Sequence, residues 1–195
     1  MKILMPLLVV FTLFSVHSSV YAQPDSAKIA KKVLVYADSL IKTDAYQSWG
    51  PYAELAPPPV IKFYGGKEGY IEHCRVARMR TLSTIDENYP DIKIQTLMTE
   101  NEQWQSLVRV ERYFHKEEKK FHQITYFLAQ SKDEGETWKL FDLSFNKIAN
   151  VIYIFPEIFI DMAIPEPSVL SEQEEMAQKQ AEAAAANKKS TARKK

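Results

Sequence analysis

The sequence predicts an α+β domain, N-terminal helices against one antiparallel sheet, because two hydrophobic patterns follow one another along the chain. Apolar residues recur at helical spacing as far as Leu82, and beyond Pro90 the period changes to alternation. The links between the alternating segments are short and polar, which joins the strands as hairpins. Helices first and a meander second distinguishes α+β from a parallel α/β order.

The first helix is predicted over Ala27 to Ile41, where Ile29, Val33, Tyr36 and Leu40 form a stripe widened by Ala30, Leu34, Ala37 and Ile41, with Ser26 as N-cap. A second, short helix runs from Asp44 towards Leu55 and is ended by Pro57-Pro58-Pro59, since proline cannot donate the next helical hydrogen bond. Gly65-Gly66 turns the chain into a third helix over Lys67 to Leu82, with Tyr70, Cys74, Ala77 and Thr81 on one side. Four strands follow: Asp91 to Thr99, Trp104 to Lys116, Phe121 to Gln130 and Thr137 to Phe145. From Ile148 to Met162 helical spacing returns, and Pro156 suits the first turn of a new helix, so two short capping helices are expected. Asn150, Pro156, Glu157 and Asp161 interrupt that stretch and speak against a membrane span.

Lys2, the apolar run Ile3 to Val16 and the small-residue site Val20-Tyr21-Ala22 have the three parts of a secretory signal. The run is shorter than the roughly 20 residues of a spanning helix. The reading is therefore a signal peptide over 1–22, cleaved before Gln23, and an exported protein, periplasmic or extracellular. The remainder fits one domain over 23–170, followed by an Ala/Gln/Lys-rich tail over 171–195 whose composition buries too little to order itself. With 46% hydrophobic residues the chain can build a core, and its single cysteine, Cys74, means packing rather than an internal disulfide must stabilise it. Lys and Arg total 25 and so do Asp and Glu, a balance that speaks against capture of nucleic acid or anionic membrane by charge. The last basic residues, Lys188 to Lys195, read as a solvated end.

Three segments carry a family resemblance. Pro59-Val60-Ile61-Lys62-Phe63-Tyr64-Gly65-Gly66-Lys67-Glu68 is similar to the link before the third helix in secreted bacterial members of the nuclear transport factor two-like superfamily. Ser131 to Trp138 is similar to their last turn, and Val151 to Pro165 resembles their closing apolar stretch with its internal proline. The resemblance implies a cone: helices packed in the concave side of a bent antiparallel sheet, as in polyketide cyclases and ketosteroid isomerases. The superfamily hosts enzymes, binding modules and many members without a known role, so it implies no single activity. In relatives that are enzymes an Asp or His inside the cone does acid–base work. Here that points to Asp142, with Arg112 as its charge partner.

If the turns close their hairpins symmetrically, Arg112, Thr125 and Asp142 fall side by side on three neighbouring strands and on one face. Val108, Val110, Phe127, Leu140 and Trp138 share that face, so the polar row would lie in apolar surroundings like those of a small-ligand site. The alternative is a charge pair and a hydroxyl that merely satisfy a half-buried sheet. Tyr113, Ile124, Tyr126, Phe141 and Leu143 make the other face apolar too, a surface for a homodimer.

Other motifs are weaker. Ser131 to Trp138 matches Ser-x-Asp-x-Gly-x-x-Trp, the Asp box of sialidase propellers, but one copy builds no propeller, and a structural turn is the reading. The same hairpin alignment sets His115 opposite His122 without a third ligand, so no metal is assigned, and surface histidines are expected. No nucleophile has an identifiable base and acid partner, and Gly65-Gly66-Lys67 lacks phosphate-loop spacing. The resulting expectation is a non-enzymatic domain that binds a small ligand or a protein partner through Arg112, Thr125 and Asp142, without a cofactor. The alternatives are a cyclase, isomerase or hydratase-like enzyme, or a dimeric assembly unit.

Overall fold

A computed structural model describes residues 26–79, 85–86, 88–144, 146 and 148–181. The expected signal peptide lies outside the described residues, as does the basic end of the tail. The α+β order holds: α1 (Ser26–Ala45), α2 (Trp49–Leu55), α3 (Pro58–Phe63) and α4 (Lys67–Met79) precede an antiparallel sheet. Its strands are β1 (Ile85–Asp86), β2 (Asp91–Glu100), β3 (Gln103–Lys116), β4 (Lys119–Ser131), β5 (Lys139–Asp142) and β6 (Ser168–Ser171), with α5 (Ile148–Ile154) between the last two. The long β3–β4 ladder is the centre; β1 and β2 pair with β3, and β5 and β6 pair with β4.

The helix α1 buries Ile29, Val33 and Leu40 of the expected stripe, with Ala37 buried and Tyr36 only half-buried, and it touches β2, β3 and β5. Gln47 takes a positive φ of 53° between α1 and α2, a conformation that breaks one helix from the next. The three prolines do more than end a helix. Pro57 is extended and caps α3, and Pro58 stands in its first turn, where a missing N–H costs nothing. Gly65 and Gly66 both have positive φ and return the chain into α4, the helix-entry turn expected there.

Between Ile94 and Thr96 the β2–β3 register shifts, a bulge of the kind that bends a strand. The β3–β4 hairpin closes on two residues, Glu117 and Glu118, both at positive φ, so that Lys116 faces Lys119. The even-numbered β3 face, with Val108 and Val110, joins Phe127, Ala129 and Leu140 in the main core beneath α1. On the opposite face Leu107, Tyr126, Leu128, Phe141 and Leu143 are also buried. There the side chain of Gln105 donates to the Glu157 carbonyl at 2.7 Å and accepts from the Phe159 amide at 2.9 Å, which holds the closing stretch to the sheet.

Those bonds accompany a difference from expectation. Only α5 forms as a capping helix; residues 156–157 and 160–161 are turns. The Gln105 side chain satisfies backbone groups that a second helix would otherwise use internally. Strand β6 pairs with Phe121 to Ile124 at the end of the region read as the domain, and the segment read as tail continues in a helical run over 172–181. Glu175 in that run lies 3.2 Å from His122 Nδ1, while His122 Nε2 meets Glu111 at 2.7 Å. His122 is thus buried rather than a surface histidine, and the register sets it opposite Tyr113, with His115 opposite Lys120. The two histidines do not face each other.

Among the described residues, no helix is long and apolar enough to cross a membrane. Cys74 is buried and unpaired, and burial pushes its thiol up to about 12, so it packs rather than reacts.

Candidate functional site

Arg112, Thr125 and Asp142 line one cavity of about 500 Å³. That volume lies within the range of small-molecule sites. The C-terminal turn of α1 contributes Leu40, Ile41, Asp44 and Ala45, and the sheet contributes Val110, Gln123 and Phe127. Apolar walls therefore carry a few polar groups at separate places.

The register differs from the symmetrical one. Thr125 faces Val110, Arg112 faces Gln123, and Asp142 faces Phe127, so the three residues form a diagonal instead of a row. Both hairpins are displaced by two residues, because the first turn is two residues long and the second ladder begins at Gln130 and Lys139. A shift of two keeps every side chain on its face; a shift of one would have scattered them.

Asp142 ends β5, and the chain turns at once so that Ser144 can reach back. Its Oδ1 accepts hydrogen bonds from the Ser144 amide at 2.8 Å and from the Ser144 hydroxyl. Thr125 Oγ1 is 2.9 Å from Ser144 Oγ, and the Tyr52 hydroxyl points at Asp142 Oδ2 from 3.5 Å. Burial pushes the Asp142 carboxyl up to about 6. The Ser144 bonds and the charge of Arg112 pull the other way, and Asp44 adds to the rise. Arg112 is held by an Nε bond of 2.6 Å to Gln123 Oε1 and lies over the Phe114 ring. Elsewhere in the lining, Arg78 and Asp44 form a pair at 3.5 Å, and the Tyr89 hydroxyl donates to Asp38 at 2.6 Å.

Sequence reasoning missed Ser144, Gln123, Tyr52, Asp44, Arg78 and Tyr89. Two carried a local signal: Asp142-x-Ser144 is the spacing of a side-chain turn, and Gln123 shares the strand parity of Thr125. The others reach the cavity through long-range packing.

The Ser131 to Trp138 turn lies apart from the cavity lining and is built as a structural loop. Asp133 accepts from the Thr137 amide at 2.9 Å and the Thr137 hydroxyl at 2.6 Å, and Ser131 Oγ donates to it at 2.7 Å. Burial opposes its ionisation, but the Thr137 and Ser131 bonds outweigh this and hold the carboxyl below its usual range. Because Asp133 is exposed, water replaces part of what is lost on removal, and Asp133→Ala is expected to cost only about 1 kcal/mol in urea unfolding. A loss above about 3 kcal/mol would mean that the turn carries more of the fold than its exposure allows.

No cluster of three or more His, Cys, Asp or Glu among the described residues could hold a metal ion. Comparisons of the chain with family models, with curated proteins and with solved structures give no match.

Proposed function

We propose that the chain is an exported, non-enzymatic domain of the nuclear transport factor two-like type that binds a small molecule between α1 and the sheet. The observation that carries this reading is the cavity that brings Arg112, Thr125 and Asp142 together beside apolar walls. A sheet whose polar residues served stability alone would be packed at this place. The bulge in β2 and the position of α1 over the sheet support the cone form. The homodimer reading has less support, since the chain's own closing stretch is bound to the second sheet face at Gln105 and Gln130.

The test is a metabolite panel screened by thermal shift against the wild type, Arg112→Ala, Asp142→Ala and the double variant. A binding pair couples mainly when ligand is present, whereas a structural pair couples in stability. Loss of about tenfold in affinity for a hit, with unfolding effects of the two single variants that simply add when no ligand is present, is the expected result. Any variant that bound every hit as tightly as the wild type would remove that residue from the site.

One observation favours the enzymatic alternative. Asp142 is a cavity carboxylate whose burial pushes it up to about 6, the range in which a carboxylate serves as a general base near neutral pH. Turnover of a bound hit by the wild type, abolished in Asp142→Asn while binding persists, would establish that reading over simple capture.

The signal reading predicts that the exported protein begins at Gln23. Intact mass measurement of the exported product checks it, and retention of Met1 to Ala22 would overturn it.

A further inference from the structure

We propose that the helical run over 172–181 is a strap gated by pH, docked on the sheet while both ring nitrogens of His122 carry protons and released when one of those protons is lost.

The contacts of the ring require the charged form. His122 Nε2 lies 2.7 Å from Glu111 Oε1, and Nδ1 lies 3.2 Å from Glu175 Oε1. A neutral imidazole has one N–H, so one of its nitrogens would turn a lone pair towards a carboxylate oxygen. Only the imidazolium, a donor at both nitrogens, satisfies both contacts. Each carboxylate also has a second cation: Arg109 meets Glu111 Oε2 at 3.0 Å, and Lys179 meets Glu175 Oε1 at 2.6 Å. The Lys179 bond, against burial and together with the charge of His122, holds the Glu175 carboxyl below its usual range, so the proton that comes and goes belongs to the ring. The other groups around it are Tyr113 of β3, stacked on the ring at 4.4 Å, Lys120 of β4, whose ammonium lies 5.3 Å from the Tyr113 ring, and Glu172 of the run. Leu170 of β6 stands opposite His122 and brings no charge.

The run depends on this contact because it buries little else. Glu175 is the one residue between 172 and 181 that is not exposed, and even Met176 is 57% exposed. A helix of this length is marginal in water by itself. Its start is fixed by a capping box, in which the Ser171 amide donates to the Glu174 carboxylate at 2.8 Å and the Glu174 amide donates to Ser171 Oγ at 3.4 Å. Before that box β6 is paired with β4, so release frees the run and leaves the sheet intact. Between them the run and the sheet enclose a hollow of about 320 Å³ over Tyr113 and Phe121, which release opens to solvent. None of these residues lines the cavity beneath α1, so the strap does not rest on the ligand reading.

The sign follows from the proton count. The docked state holds one proton more than the released state, so docking strengthens as pH falls and weakens as pH rises, by at most about tenfold per pH unit. Histidine is the side chain that ordinarily changes charge between about pH 5 and 8.

Hydrogen exchange of the full chain, read by mass spectrometry on peptides covering 172–181 and corrected for the intrinsic rate at each pH, tests this between about pH 5.5 and about pH 8.5. Protection of the run is expected to fall at least about tenfold across that window. In Glu175→Gln the fall should disappear, because a carboxamide accepts from a ring N–H through its oxygen and donates to a bare ring nitrogen through its NH2. His122→Gln should remove it as well; if that variant fails to fold, Glu175→Gln, altered only on the run, carries the test. A run without protection at about pH 5.5, protection that stayed level or rose with pH in the wild type, or a fall as steep in Glu175→Gln as in the wild type would overturn the strap.

Discussion

Trp138→Ala is expected to lower the free energy of unfolding by about 3 to 5 kcal/mol, the usual cost of truncating a fully buried aromatic. Trp138 is 1% exposed and belongs to the main core, and its Nε1 donates to the Gly135 carbonyl at 3.1 Å. The ring thus packs the core and ties the turn before β5. That strand is only four residues long, and it carries Asp142. Gly135 sits at φ 86° directly against Ile29 of α1, so a loosened turn also loosens the first helix. Trp138→Phe keeps most of the buried area but loses the indole bond, and it should cost less than the alanine variant. Urea unfolding of both variants checks this, and a loss below about 1 kcal/mol for Trp138→Ala would contradict the packing described.

The second large effect concerns Asp142 and has a definite sign. Its carboxyl is raised from 3.8 to about 6 in the folded protein, so between those values the folded state binds the proton more than the unfolded state does. Stability from this group is full at acid pH and is lost as pH rises through about 6. The shift corresponds to at most about 3 kcal/mol. Asp142→Asn removes the titration, so the stability of the variant minus that of the wild type should increase as pH goes from about 4 to about 7. Unfolding at matched ionic strength across that window measures it. A difference that stayed flat, or that fell as pH rose, would mean that the carboxyl is better solvated or better paired than its surroundings imply. A raised carboxyl inside a cavity is what the proposed binding or acid–base role of Asp142 calls for.

How far the chain could be read in advance depended on the range of the interactions involved. The main apolar stripe of α1 and the alternation of β3 and β4 are local patterns, and Ile29, Val33, Leu40, Val110 and Phe127 take the buried positions those patterns assign. Hairpin register was less legible because Glu117 and Glu118 adopt positive φ without the Asn-Gly or Asp-Gly signal of such turns. Arg112, Thr125 and Asp142 nonetheless stay on one sheet face after a two-residue displacement, since strand faces repeat every second residue. The helix α3 was hidden in Pro57-Pro58-Pro59, which reads as a stop although Pro58 equally suits a start. Strand β6 directly follows Pro165 and Pro167 at the start of a polar stretch, and its pairing with Phe121 to Ile124 is a long-range event without a local signature. The pairs Asp44 with Arg78 and Tyr89 with Asp38 are likewise products of tertiary packing.

Whether Arg112, Thr125 and Asp142 form one binding site is decided by a crystal structure of the protein with the tightest hit from the metabolite panel. Ligand density is expected in the cavity between α1 and the sheet, in contact with both Arg112 and Asp142. Density bound elsewhere on the molecule, or side chains packed through the space that Leu40, Val110 and Phe127 now enclose, would contradict it.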